Sequence, residues 1–334
     1  MPERVAENLN AALHGLFAAD PTVHLFGEDV ADPYGGAFRV TKGLSTAFPD
    51  RVWSTPLSEG SLVGVAGGLA LAGEKAIVEI MFADFVALAF DQILNFATKS
   101  VSMYGRTVPM PLVVRCPVGG GRGYGPTHSQ SLQKHFLGIP DLALYEVSPF
   151  RDNADVLAEA LDRDRPALLF EDKVLYTRRM AADGVVDDLF RYELLAGGTA
   201  LVHPGDPDAC DAVVLVPGGL AERALAAART LLLEDEIACQ VAVPSRLHPV
   251  DLDPLWTVLG RARAIVAAEE GTAGGSWGAE IAQTVHTRLW DRLGGPVALV
   301  HSRDSVIPTA AHLERAVLAG EHDIRRAVKG ALGG

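Results

Sequence analysis

The chain has 334 residues, 49% of them hydrophobic, enough to bury one large core or two ordinary ones, and two is the expectation at this length. A formal charge of −13 argues against a nucleic-acid partner, and no uninterrupted apolar run approaches the roughly 20 residues of a membrane span. Cys116, Cys210 and Cys239 are too widely spaced for a zinc set or a disulfide framework, and the first residues show no basic, apolar and small-residue leader, so a cytoplasmic protein is expected.

Val5, Leu9, Leu13 and Leu16 recur at helical spacing, and Thr22-Val-His-Leu-Phe26 then reads as a strand ending in Gly27-Glu28-Asp29. Thr55-Pro-Leu-Ser-Glu-Gly60 places one carboxylate, Glu59, at the head of the apolar stretch 61–71. Strands are expected at 76–82, 111–115, 143–147 and 167–171, with a helix after the first of them carrying Phe85, Ala89, Phe90, Ile93 and Phe96. Between about 177 and 198 the pattern breaks into a polar run ending in Gly197-Gly198. Alternation resumes with a strand at 212–216, a helix at 220–233 and strands at 238–243 and 264–268. The expected architecture is α/β in two domains, 1–185 and 199–334 joined by a linker over 186–198, each a mostly parallel sheet flanked by helices.

Open α/β sheets bind ligands at the carboxyl ends of their strands, and four loops there carry unusual chemistry. They are Gly27-Glu28-Asp29, the Glu59 segment, Phe82-Ala-Asp-Phe85, and Gly119-Gly-Gly-Arg-Gly-Tyr-Gly125 leading into His128-Ser-Gln-Ser131. Each has a plainer reading. Glu59 could offset a helix dipole, Phe85 could be core, Glu28 and Asp29 could cap a turn, and His128 could ride on a solvated loop. The glycine run lacks the spacing of a dinucleotide fingerprint and the lysine of a phosphate loop, so it reads as an access segment delivering a titratable histidine.

Taken in order, Gly27-Glu-Asp29, Thr55-Pro-Leu-Ser-Glu59, Phe82-Ala-Asp-Phe85, Phe90-Asp-Gln-Ile93 and His128-Ser-Gln-Ser131 resemble the beta subunit of thiamine-diphosphate-dependent 2-oxo acid dehydrogenases. Val216-Pro-Gly-Gly219, Pro244-Ser-Arg-Leu-His-Pro249 and Glu269-Glu-Gly-Thr-Ala-Gly-Gly275 look like the transketolase C-terminal domain, so the resemblance spans nearly the whole chain. It implies a pyrimidine-binding first domain in which Glu59 hydrogen-bonds a ring nitrogen of thiamine diphosphate, Phe85 packs on the pyrimidine, and Leu57, Met81 and Glu28 complete the cofactor contact. His128 matches an active-site histidine facing substrate and acyl acceptor, and Glu28 matches an acidic residue in a carboxylate chain between distant sites, with Leu88 standing where another acidic or polar member is expected.

Also implied is an alpha subunit that holds the diphosphate and its Mg²⁺ through a Gly-Asp-Gly motif, which this chain lacks; the assembly would be a heterotetramer of two alpha and two beta chains, and no metal ligands are assigned here. Potassium, bound by many such subunits in the loop before residue 167, is argued against by Arg163 and Arg165, unless the register slips by one and Asp162 and Asp164 serve. Gln133-Lys-His-Phe-Leu-Gly138 and Ile307-Pro-Thr-Ala-Ala-His312 depart from the family pattern, which leaves the acceptor open between a lipoyl acyltransferase and a carrier protein. The expected function is decarboxylation of a 2-oxo acid with transfer of the acyl group to a lipoyl arm. The alternatives are a two-component transketolase-like transfer of a two-carbon ketol unit and a non-catalytic beta-like subunit.

Overall fold

The computed structural model describes residues 2–333. They form two compact units: one takes the chain up to Val118 and then Phe136–Met180, the other takes Gly119–His135 and the chain from Ala181 onward.

The first unit runs α1 (Val5–Ala19), β1 (Val23–Gly27), α2 (Leu44–Ala47), β2 (Val52–Ser54), α3 (Glu59–Leu71), β3 (Lys75–Glu79), α4 (Thr98–Ser100), β4 (Leu112–Val118), β5 (Ala143–Glu146), α5 (Asn153–Asp162) and β6 (Ala167–Asp172). Its strands are all parallel, in the order β5-β6-β4-β3-β1-β2. Every residue of β4 and β6 is buried, as expected of central parallel strands covered on both faces. The helical spacing of α1 buries Val5, Leu9, Leu13 and Phe17 in one cluster with Val156, Leu157 and Leu161 of α5, while Leu16 packs at its margin.

After β3 the expected single helix is instead a tight 3₁₀ stretch at Ala83–Ala89 followed by a wide π turn at Gln92–Ala97. The wide turn lays Phe96 against Gly67 of α3, where an added Cβ would stand 2.5 Å from the Phe96 ring. Glycine is required there by close approach.

The second unit comprises β7 (Phe190–Leu194), β8 (Ala200–Pro204), β9 (Ala212–Leu215), α6 (Ala221–Asp235), β10 (Cys239–Val243), β11 (Arg246–His248), α7 (Trp256–Arg261), β12 (Ala264–Thr272), α8 (Trp277–Leu289), β13 (Ala298–Ser302), α9 (Ala311–Val317) and α10 (Glu321–Gly333). Its sheet, ordered β13-β12-β9-β10-β8-β7, is mixed: β8 is antiparallel to both β7 and β10, and the other pairs are parallel. The polar segment 186–198 therefore contains a strand, β7, which turns back at Gly197 and Gly198 (φ 75° and 76°) to pair with β8. Among the described residues no helix is long and apolar enough to cross a membrane.

Adjacent glycines of α3 make a controlled comparison. Gly67→Ala should lower the urea-unfolding stability by about 1–3 kcal/mol through overlap with Phe96. Gly68→Ala, where an added Cβ meets nothing within 4 Å, should be neutral or raise stability by up to ~1 kcal/mol.

Candidate functional site

Parallel pairing fixes the site. Gly27 at the end of β1 stands beside Ser54 at the end of β2 and beside Glu79 at the end of β3. Thr55 prolongs the first pairing by donating its N–H to Gly27 O at 3.0 Å, which carries the turn 55–58 across the end of β1. There the Ser58 N–H donates to the Glu28 carboxylate, and α3 starts at Glu59. Gly27 admits no side chain, since a Cβ would lie 2.6 Å from Val30 Cγ1 and 3.0 Å from Glu79 O.

Glu28 and Glu59 are thus brought together, 3% and 7% exposed. Burial, and next the charge of Glu59, push the Glu28 carboxyl from its ordinary 4.5 up to about 7. One Glu28 oxygen, Oε1, is buried without a hydrogen-bond partner. Glu28 so placed retains its proton to near neutrality. Glu59 does occupy the first turn of α3, where the helix dipole favours an anion, and it lines a cavity of about 800 Å³ with Leu57, Gly60, Gly64, Leu88 and Gln92. The rim is open and mixes polar Ser58, Ser61 and Asp91 with Leu57, Val65 and Leu88, which are 77%, 57% and 65% exposed.

Met81 and Phe85 follow β3, at the same carboxyl end of the sheet, and both are half-buried. Phe85 donates its N–H to Phe82 O at 3.0 Å, and its 3₁₀ stretch packs on α3. The first unit therefore gathers Glu28, Leu57, Glu59, Met81 and Phe85 at one sheet end. His128 belongs to the second unit, half-buried on the segment that leaves β4, with Thr127 Oγ1 3.0 Å from its Nδ1.

A buried charge network at this sheet end was not singled out from the sequence. Arg115 of β4 donates to Glu79 Oε2 at 2.6 Å and in a fork to Glu171 of β6 at 2.7 and 2.8 Å. The Tyr176 hydroxyl donates to Glu171 Oε2 at 2.6 Å. Burial pushes the Glu79 carboxyl up, against the pull of Arg115 and with the repulsion of Glu171. A charged residue inside each of three apolar strand runs was the available signal. At the end of α5 Asp162 meets Lys75 Nζ at 3.3 Å, and in the loop before β6 Arg165 pairs with Asp141.

In the second unit, the two adjacent acids near the end of β12 divide their work. Glu269 caps α8, accepting from the Trp277 and Gly278 N–H groups at 3.3 and 2.7 Å. Glu270 accepts from Gly120 N–H at 2.8 Å and from the Ser131 hydroxyl at 3.0 Å. A cavity of about 330 Å³ adjoins Glu270, with Ser131, Lys134, His135 and Arg303 in its lining. Lys134 there donates to Thr272 O and Oγ1 at 3.0 and 2.8 Å, and burial followed by the Lys134 charge lowers the His135 pKa.

The chain has counterparts among known proteins. Residues 4–179 match the family "Transketolase, pyrimidine binding domain", and residues 205–324 match "Transketolase, C-terminal domain". The "Pyruvate dehydrogenase E1 component subunit beta" of Rickettsia bellii (strain RML369-C) is 31% identical over 97% of this chain and 97% of its own. The chloroplastic "subunit beta-4" of Oryza sativa subsp. japonica is 32% identical over 97% of this chain and 78% of its own. A solved structure described as "Split gene transketolase, inactive beta4 tetramer" superposes with a TM-score of 0.72 over 100% of this chain and 99% of its own, at 20% identity, a likeness of fold.

Two stability outcomes follow from the buried charges. Arg115→Met strands two carboxylates and should lower the urea midpoint by the equivalent of about 3–5 kcal/mol, part of it recovered by adding Glu171→Gln. For Glu28, the folded chain holds its proton up to about pH 7 and the unfolded chain only to about 4.5, so stability falls as pH rises between those values. Urea titrations from pH 4 to 8 should show a loss of roughly 1–3 kcal/mol that Glu28→Gln abolishes.

Proposed function

We propose, from the premise that this chain belongs to the transketolase-like family of pyruvate dehydrogenase E1 component beta subunits, that it is the beta subunit of a two-component thiamine-diphosphate enzyme. Its reaction is decarboxylation of a 2-oxo acid and delivery of the acyl group to a lipoyl acceptor. The observation that carries this reading is the Glu28–Glu59 pair: two buried carboxyls beside an open cavity, Glu28 holding its proton to about pH 7 with one buried oxygen lacking any hydrogen-bond partner. That donor set fits an aminopyrimidine, whose ring nitrogen accepts a hydrogen bond from a carboxylic acid.

Thiamine diphosphate, when bound, supplies the carbon nucleophile and the electron sink that loss of carbon dioxide requires. Glu59 would hydrogen-bond the ring nitrogen through its carboxyl, with the Glu28 carboxyl, protonated to about pH 7, beside it. Phe85, Met81 and Leu57 would give the pyrimidine an apolar wall that excludes water and strengthens this bond. His128 would donate or accept a proton at its imidazole as substrate and acyl acceptor react.

No Gly-Asp-Gly motif for the diphosphate occurs in the sequence. An alpha subunit would hold the diphosphate and its Mg²⁺, in a heterotetramer of two alpha and two beta chains. The exposed Leu57, Val65 and Leu88 around the cavity support this, being an apolar surface suited to burial against another chain. The Rickettsia bellii and Oryza sativa relatives, both named as pyruvate dehydrogenase subunits, favour a 2-oxo acid over a ketose phosphate as substrate.

The test is reconstitution with a cognate alpha chain, assayed with an artificial electron acceptor. Carbon dioxide release from pyruvate or a branched 2-oxo acid is the expected result; turnover of ketose phosphates alone would replace this reading by a transketolase-like one. In the same complex Glu59→Gln should lower kcat by at least about 100-fold, and unchanged turnover would remove Glu59 from the mechanism.

A further inference from the structure

The glycine run has the backbone of an anion cradle. Gly119, Gly121, Gly123 and Gly125 all have positive φ, between 72° and 89°, so every second residue takes a conformation that side chains disfavour. Such alternation points successive N–H groups to one side, the arrangement that elsewhere binds phosphates. Here the anion belongs to the chain itself. The Gly121 N–H donates to Glu314 Oε1 at 2.8 Å, and the Gly123 N–H reaches both Glu314 oxygens at 3.4 and 3.2 Å.

Glu314 sits on α9 and is 2% exposed. Among the described residues no lysine, arginine or histidine pairs with it, so the glycine amides are what compensates its burial. A second carboxylate secures the flanks: Glu270 binds the Gly120 N–H on one side and the Ser131 hydroxyl on the other. Burial opposes ionisation of Glu270, but the Arg223 guanidinium at 2.7 Å, together with the Gly120 N–H and Ser131 hydroxyl, holds its carboxyl below the usual range. The fit is close as well, since a Cβ on Gly120 would come within 2.5 Å of Leu318 Cδ1 and one on Gly125 within 2.7 Å of Thr309 Oγ1. His128 lies between Gly123 and Ser131, inside the span that these two carboxylates hold.

We propose that Glu314 is a positioning residue for His128: as the resident anion of the glycine cradle, it keeps the 119–128 segment in the one conformation that presents the imidazole. This rests on the reading of His128 as an active-site group. A carboxylate suits the task better than an apolar contact, because amide-to-carboxylate bonds are directional and strengthen out of water. A misplacement of about 1 Å in a catalytic group can cost on the order of 100-fold in rate.

The test uses the reconstituted alpha–beta complex with Glu314→Ala, Glu314→Gln, Glu314→Asp and His128→Ala. Glu314→Ala should lower kcat about 10- to 100-fold, with formate restoring part of the loss by refilling the cradle. Formate should restore nothing in His128→Ala. Glu314→Gln keeps one acceptor oxygen but turns an amide toward a donor, so it should fall between wild type and Glu314→Ala; Glu314→Asp should recover more than Glu314→Gln. If Glu314→Ala does not fold, the Gln and Asp variants decide the question.

Trypsin cleavage after Arg122, which is exposed on the run, gives a readout independent of turnover. It should accelerate in Glu314→Ala and slow again with formate. Unchanged kcat in folded Glu314 variants, with His128→Ala impaired, overturns this proposal alone. Full turnover by His128→Ala overturns the reading of His128 and the positioning role with it. A kcat loss that formate leaves untouched, with Arg122 cleavage unchanged, also overturns it.

Discussion

Carboxyl groups withdrawn from water at the carboxyl ends of parallel strands are the constraint on which the rest of this chain depends. Glu28, Glu79 and Glu171 follow or end β1, β3 and β6, all nearly inaccessible, and each must be neutralised by a proton, a cation or hydrogen bonds. The chain uses a different device at each place. Arg115 forks onto Glu171 and reaches across to Glu79, so one guanidinium serves two anions. Glu28 has no cation and meets its cost by keeping a proton to about pH 7. The second unit repeats the problem with Glu270, matched by Arg223, and Glu314, matched by backbone amides alone.

This pattern separates stability from chemistry. Where a guanidinium is clamped between carboxylates, as at Arg115, the group is a strut, and the carboxylates hold its proton far above physiological pH. Where the match is incomplete, as at Glu28 beside Glu59, a proton remains available near neutrality. The carboxyl without a cation lies beside the open cavity and the Arg115 network lies in the central strands, as in a site built at the edge of a rigid, paired interior.

Most of the strands were legible because a buried parallel strand is a short apolar run, and β1, β3 to β6, β9, β10 and β12 all have that form. β7 was not, because Phe190, Arg191, Tyr192 and Glu193 alternate apolar and polar beside two glycines and look like a break rather than half of a hairpin. The 3₁₀ and π stretches after Phe82 escaped notice for a different reason: tight and wide turns in succession leave the spacing of Phe85, Ala89, Phe90, Ile93 and Phe96 close to that of an ordinary helix. At the site, Glu28 and Glu59 stood out as acids flanking apolar runs. Glu79, Arg115 and Glu171 each passed as a single polar strand residue, because only strand register shows that they meet. Glu314 gave no signal at all, since an acid on a short helix is ordinary until the glycine amides are seen on it.

The segment Gly119–His135 leaves β4 of the first unit, belongs by its contacts to the second, and then returns the chain to Phe136 in the first. Two family domains that are consecutive in sequence therefore do not coincide with the two units, and the chain passes from one unit to the other more than once. Such a protein is not a pair of exchangeable modules. A recombination event or an engineered graft that swapped the second family domain at any single junction would leave its glycine segment behind in the first. The partners that hold this segment, Glu270 and Glu314, would have to travel with it.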